Sequence, residues 1–231
     1  MNPYSFFDST MLLFIPAVLL AAWAQFRVKS TFDRYSQVGA RRGVTADQVA
    51  RMLLDQFGLT SVPVQRVSGH LTDHYDPHGR TLALSDSVYG NTSIAAIGVA
   101  AHEVGHAIQH SDGYASLGIR NSIVPVVNIG STLAMPLFFA GFFFQGATWL
   151  MDLGILLFLG VLIFHLITLP VEFNASSRAV ALLGQTGALS GDELQGASKV
   201  LNAAAWTYIA ATVMALMQLL RLLVLRASRR E

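Results

Sequence analysis

The chain has 231 residues, of which 53% are hydrophobic and 13% charged, with a formal net charge of +1. That composition, with a mean hydropathy of +0.49, sets it apart from ordinary soluble domains and points to a membrane protein. The lack of any basic run interleaved with aromatics argues against nucleic acid as a partner, and with no cysteine any metal must be held by His, Asp, Glu or water.

The first apolar stretch, Ser9 to Phe26, is long enough to cross a bilayer, which takes about 20 residues. No basic segment precedes it, Pro16 interrupts it, and no small-residue cleavage site follows, so it reads as a retained anchor and not a signal peptide. Arg27 to Ser122 is the one long polar stretch and is expected to form a small extramembrane domain. Within it, VTADQVARMLLDQFG predicts an amphipathic helix with Thr45 as N-cap, an apolar face of Val49, Met52, Leu53 and Phe57, and Gly58 past its end. Val62 to Ser68 is β-branched enough for a strand, and LTDHYDPHGRTLALS places an Asp76-Pro77-His78-Gly79 turn between two short strands, a hairpin. YGNTSIAAIGVAAHEVGHAIQHSDG predicts a long helix capped by Thr92 or Ser93 and stopped at Gly113. Three further apolar stretches follow, Ile123 to Phe144, Leu153 to Val171 and Leu201 to Leu220, all without Asp, Glu, Lys or Arg. The expected organisation is therefore an anchor (1–26), an extramembrane domain (27–122), two spans (123–171), a helical segment (172–200), and a last span with a basic tail (201–231).

Chemistry concentrates on the long helix. His102 and His106 are four residues apart, so their rings share one face and can bind a single ion. Glu103 is turned about 100° from His102, within reach of a water on that ion without being a ligand. The helix is apolar on most faces, and burying two imidazoles and a carboxylate without partners costs several kcal/mol, a cost that a metal removes. His110 continues the spacing but lies about 12 Å along the axis from His102, too far to ligate the same ion, and is expected to be an exposed or helix-end residue. A catalytic zinc takes three protein ligands and an open position. Of the acidic residues after Gly113, Glu172 stands out, because it follows Pro170 at the end of an apolar span, where an ionisable group needs a partner.

AAHEVGHAIQH, HYDP, LSDSVYG and LPVEFNASSRA together resemble the bacterial membrane-bound neutral zinc metallopeptidases, zinc peptidase family 2, distantly similar to the heat-shock and CAAX-prenyl membrane metalloproteases. The resemblance covers nearly the whole chain. It implies a mainly α membrane protein of about four transmembrane helices with a small α+β, gluzincin-like zinc metalloprotease domain, in the bacterial inner membrane. The site it implies has His102, His106 and Glu172 as Zn2+ ligands and Glu103 as general base. The distant relatives place Asp four residues after the ligand Glu, where it steadies a zinc histidine. This chain has Ser176 there, which points to Asn174 or a backbone carbonyl for that role.

Weaker candidates complete the set. Arg178 could stabilise an oxyanion or pair with a carboxylate. His74 and Tyr75 are candidates for transition-state hydrogen bonding, against the plainer reading of hairpin surface. His70, His74 and His78 are also spaced by four, but Pro77 breaks any helix there. His165 reads as a polar residue facing its neighbours and not a ligand. RTLALSDSVY is the candidate edge strand for pairing with an extended peptide. The expected partners are thus a peptide or membrane-protein substrate and the lipid bilayer, and no motif specifies an oligomer. Arg27, Lys29, Arg34, Arg41 and Arg42 after the first span place the active site on the cytoplasmic side by the positive-inside rule. The arginines at 221, 226, 229 and 230 oppose that orientation if all four spans cross. Two other classes compete: a non-proteolytic scaffold stapled by zinc, against which Glu103 speaks because a structural site needs no base, and a transporter, for which charge-free spans offer no ion path.

Overall fold

The structure is a computed structural model and describes residues 9–144 and 146–229. Gln145, between the second and third apolar stretches, and Arg230 of the basic tail lie outside the described residues. A 3-10 turn (Ser9–Leu13) leads into α1 (Phe14–Ser36). α2 (Ala46–Gln56), the strands β1 (Val64–Val67), β2 (His74–Asp76) and β3 (Thr81–Ser85), and α3 (Ile94–Ser111) follow. Three long helices close the chain: α4 (Ala115–Phe143), α5 (Thr148–Gln185) and α6 (Asp192–Ser228).

The chain divides into two compact units. One comprises Met1–Ala24, Ile119–Leu169 and Thr207–Glu231, the other Gln25–Gly118 and Pro170–Trp206. Four helical stretches are long and apolar enough to cross a membrane: Thr10–Ser36, Ala115–Phe143, Thr148–Gln185 and Asp192–Ser228. These helices outrun the apolar stretches read from sequence. α5 has 38 residues, about 57 Å at 1.5 Å per residue, nearly twice the roughly 30 Å hydrocarbon core. Its apolar first part therefore suffices to span, and the more polar remainder, with Glu172, continues as helix into the second unit. α6 is divided in the same way, in reverse order.

In the first unit, Phe138, Met151 and Leu222 form a buried cluster. α4 and α5 touch backbone to backbone there: a Cβ on Gly154 would lie 2.6 Å from the Ala134 carbonyl oxygen. Small residues that admit such approach are how apolar helices pack where hydrophobicity alone gives no preference for helix over lipid.

The second unit has the larger core, with Leu53, Leu54, Leu82, Leu84, Ile97, Ile108, Leu183 and Leu189 all fully buried. α2 begins at the predicted cap, where the Gln48 side chain accepts from the Thr45 amide at 3.1 Å. Its buried stripe is Ala46, Val49, Ala50, Leu53 and Leu54, while Met52 and Phe57 are 39% and 44% exposed. The stripe is thus rotated towards the small alanines, which let α2 lie close to α3. α3 takes Ser93 as its N-cap, the hydroxyl accepting from the Ala96 amide at 3.2 Å. Its end at Asp112 is followed by Gly113 at φ +64°, and α4 starts two residues later.

The sheet order is β1-β3-β2, with β1 parallel and β2 antiparallel to β3. β3 is therefore the central strand, and the expectation that RTLALSDSVY supplies a free edge is overturned. Leu82 is paired with Val64 on one side and with Tyr75 on the other. β1 and β2 are the edges, and both β2 and β3 pack against α3.

Candidate metal centre

α3 presents His102 and His106 on one face, and α5 brings Glu172 against them. The approach depends on Gly105. A Cβ there would sit 2.7 Å from the Ala175 carbonyl oxygen, so only glycine lets α5 lie this close to α3, one turn of α5 away from Glu172. Nothing in the spacing of H-E-x-x-H signals this requirement.

The three side chains are nearly withdrawn from water, at 14% (His102), 12% (His106) and 4% (Glu172) exposure. His102 Nε2 and His106 Nε2 are 3.2 Å apart. Glu172 Oε2 lies 3.3 Å from the first and 3.5 Å from the second. Four donors about 2.1 Å from a tetrahedral zinc stand about 3.4 Å from one another. The three atoms thus form one face of such a tetrahedron, and the donor set, two imidazole nitrogens and one carboxylate oxygen, is one that zinc accepts. Among the described residues this is the group of His and acidic side chains close enough to share an ion, with ligand atoms within 4.8 Å. His165, His70, His74 and His78 are not in it.

The electrostatics fit a cation. Burial opposes charge on His106, yet hydrogen bonding to Glu172 and the field of Glu103 outweigh it and hold its pKa above the ordinary histidine value. A site that retains a proton in this way also favours a metal ion, and the two compete. Glu103 itself is buried, at 8% exposure.

Around the triangle, the imidazole nitrogens that face away are also bonded. His102 Nδ1 is 3.1 Å from the Ser176 hydroxyl, and His106 Nδ1 is 3.0 Å from Gln109 Oε1. Ser176 thus touches His102 directly, and Asn174 stands one step further out. It accepts at Oδ1 from Gln109 Nε2 and from Arg178 Nε, both at 2.9 Å. Arg178 continues to Asp112. Of its two predicted roles, the pairing with a carboxylate is the one its geometry displays.

Tyr75 on β2 reaches α3 one turn past His106, its hydroxyl 2.9 Å from His110 Nδ1. Burial raises the Tyr75 pKa, so the phenol stays protonated. His110 stands in the last turn of α3, as expected of a residue near the helix end, and is half-buried and not exposed. His74 is exposed, its Nδ1 2.9 Å from the Thr72 carbonyl. Gln109, Gly105 and Asp112 are the residues that the sequence reading passed over. Gln109 could have been found, since it lies three residues after His106 and seven after His102, on the ligand face.

Comparison with known proteins agrees in kind. The family described as "Putative neutral zinc metallopeptidase" matches residues 10–227. The chain is 50% identical over 219 residues to the "Putative membrane protease YugP" of Bacillus subtilis (strain 168), covering 95% of this chain and 97% of that protein. No solved structure matches.

Proposed function

This chain belongs to the neutral zinc metallopeptidase family, and on that premise we propose that it is an integral membrane zinc metallopeptidase that hydrolyses peptide bonds. The observation that carries this reading is the triangle of His102 Nε2, His106 Nε2 and Glu172 Oε2, with sides of 3.2–3.5 Å. These three residues would hold the metal and leave the fourth position open. Zinc, when bound, supplies Lewis acidity, which polarises the scissile carbonyl and brings the pKa of water to about 7.

The rest is done by the chain. Glu103, next to His102 and shielded from bulk water, takes a proton from the attacking water as its oxygen bonds to the carbonyl carbon. It then returns the proton to the amine nitrogen as the C–N bond breaks. An extended peptide finds its backbone partner on β2, the edge strand that packs against α3. Tyr75, on that strand and protonated, is positioned by His110 for a hydrogen-bonding role. Arg178, held by Asn174 and Asp112, serves the structure of the site and not an oxyanion.

The reading keeps the polar second unit out of the bilayer. The cluster Arg27, Lys29, Arg34, Arg41 and Arg42 supports a cytoplasmic side for it, in the bacterial inner membrane, by the positive-inside rule. The decisive experiment is Glu103→Gln in the full chain. It is expected to retain zinc and lose all cleavage of a peptide library, because the base is altered and the ligands are not. A variant with undiminished cleavage refutes the assignment of the base. Wild-type protein that holds zinc but cleaves nothing favours the zinc-stapled scaffold.

A further inference from the structure

Gln109 is a fully buried polar side chain with every polar atom engaged. Its Nε2 donates to the Val171 carbonyl at 2.8 Å and to Asn174 Oδ1 at 2.9 Å. Its Oε1 lies 3.0 Å from His106 Nδ1. Directionality follows from chemistry alone. A backbone carbonyl can only accept, so the end of the carboxamide at Val171 is its NH2, and the end at His106 is its oxygen. An oxygen there requires a hydrogen on His106 Nδ1. In the neutral ring the lone pair is then left on Nε2, the atom that faces His102 and Glu172.

The amide cannot turn over to present the wrong end. Turning it would set oxygen against the Val171 carbonyl and against Asn174 Oδ1, whose identity as oxygen is fixed independently by the donor Arg178 Nε at 2.9 Å. Arg178 is in turn tied to Asp112, the C-cap of α3. The chain of bonds thus starts on α3, crosses to α5 and returns to α3. His102 differs, because the hydroxyl of Ser176 both donates and accepts and so selects neither tautomer.

We propose that Gln109 is a positioning residue for the metal: it sets His106 as an Nε2 ligand, and Asn174, Arg178 and Asp112 hold Gln109 in the one orientation that does so. This rests on His106 being a zinc ligand. The consequence is an asymmetric site, in which His106 is preset for the metal and His102 selects its tautomer on binding.

The test uses full-length protein in detergent, metal-free, with 15N-labelled histidine, at a pH where the imidazoles are neutral. The wild type is expected to show His106 with Nδ1 protonated and Nε2 bare. Gln109→Leu, of similar volume, should give a mixture of tautomers. Its zinc affinity, measured by chelator competition, should fall by about 10- to 100-fold, as for other groups that orient a metal ligand. Asn174→Asp keeps the acceptor for both donors and should preserve the His106 tautomer, whereas Asn174→Leu should give mixed tautomers and a lower zinc affinity. A wild-type His106 protonated on Nε2 overturns the inference, as does a folded Gln109→Leu with the wild-type spectrum and zinc affinity. Should Gln109→Leu fail to fold, the wild-type spectrum and the two Asn174 variants decide. Wild-type protein that takes up no zinc would instead remove the proposed function, and the tautomer spectrum would still decide whether Gln109 sets the His106 tautomer.

Discussion

Gly105→Ala isolates the helix approach that the site depends on. An added Cβ would lie 2.7 Å from the Ala175 carbonyl oxygen and 3.2 Å from its carbonyl carbon. Ordinary contact begins near 3.4 Å, so α3 and α5 must separate locally by about 0.7 Å, and close-packed interiors resist such shifts. Ala175 is three residues from Glu172 and adjacent to Ser176, so both move with it. A displacement of that size is large against ligand bonds of 2.0–2.2 Å, and zinc affinity is expected to fall by at least the 10- to 100-fold typical of losing an orienting group. The stability effect runs both ways. Alanine gains up to about 1 kcal/mol of helix propensity over glycine, and overpacking costs about 1–3 kcal/mol, so net destabilisation should be modest while metal binding collapses. Gly118→Ala is the control, since a Cβ there meets nothing within 4 Å on a helical backbone, and it should gain stability with zinc affinity unchanged. Metal content after dialysis, chelator competition and thermal melting of both variants provide the assay. Gly105→Ala with wild-type zinc affinity would refute the reasoning, because it would mean that α5 can move without carrying Glu172 out of reach.

Further outcomes are expected. Glu172→Ala should leave two imidazoles and lose zinc by at least 10- to 100-fold, with full metal by elemental analysis ruling out Glu172 as a ligand. Because the proposed ligands sit on two separate helices, a chelator should lower the melting temperature and expose the second unit to protease; unchanged behaviour in both would remove the coupling of metal to fold. The Asp86 carboxylate accepts from the Gly69 amide and from Arg66, at 3.0 and 2.8 Å, and these hold its pKa below the ordinary value. Its contribution is therefore complete above the unfolded value of about 3.9 and is lost as pH falls through the lower folded one. The Gly69 amide resonance should titrate with a midpoint below that of a free aspartate, and a midpoint at the free value would contradict the contact. The chain has no cysteine, so single-cysteine mapping is clean. Ser228→Cys should react with an impermeant maleimide on intact spheroplasts and Ser61→Cys only after lysis, with the opposite pattern reversing the orientation.

What the sequence determined by itself is local. Four apolar stretches mark the membrane character, because the bilayer fixes the length that must be apolar. Thr45 and Gly113 delimit α2 and α3, because caps act within one turn. His102 and His106 share a face because helix geometry brings residues four apart together. The tertiary structure decided whatever depends on partners distant in the chain. Glu172 stands 66 to 70 positions from the two histidines, and only the packing of α5 on α3 sets the 3.3 and 3.5 Å distances. The need for glycine at 105 arises from Ala175, on another helix. The centre of the sheet fell to β3 because β1, read as a lone strand, pairs with it in parallel, a register that no turn signal announces. The outward turn of Met52 and Phe57 followed from which face of α2 the neighbouring helix could approach most closely. Periodicity records which residues avoid water, but which of them meet is settled by close packing, and the metal triangle is a product of that packing.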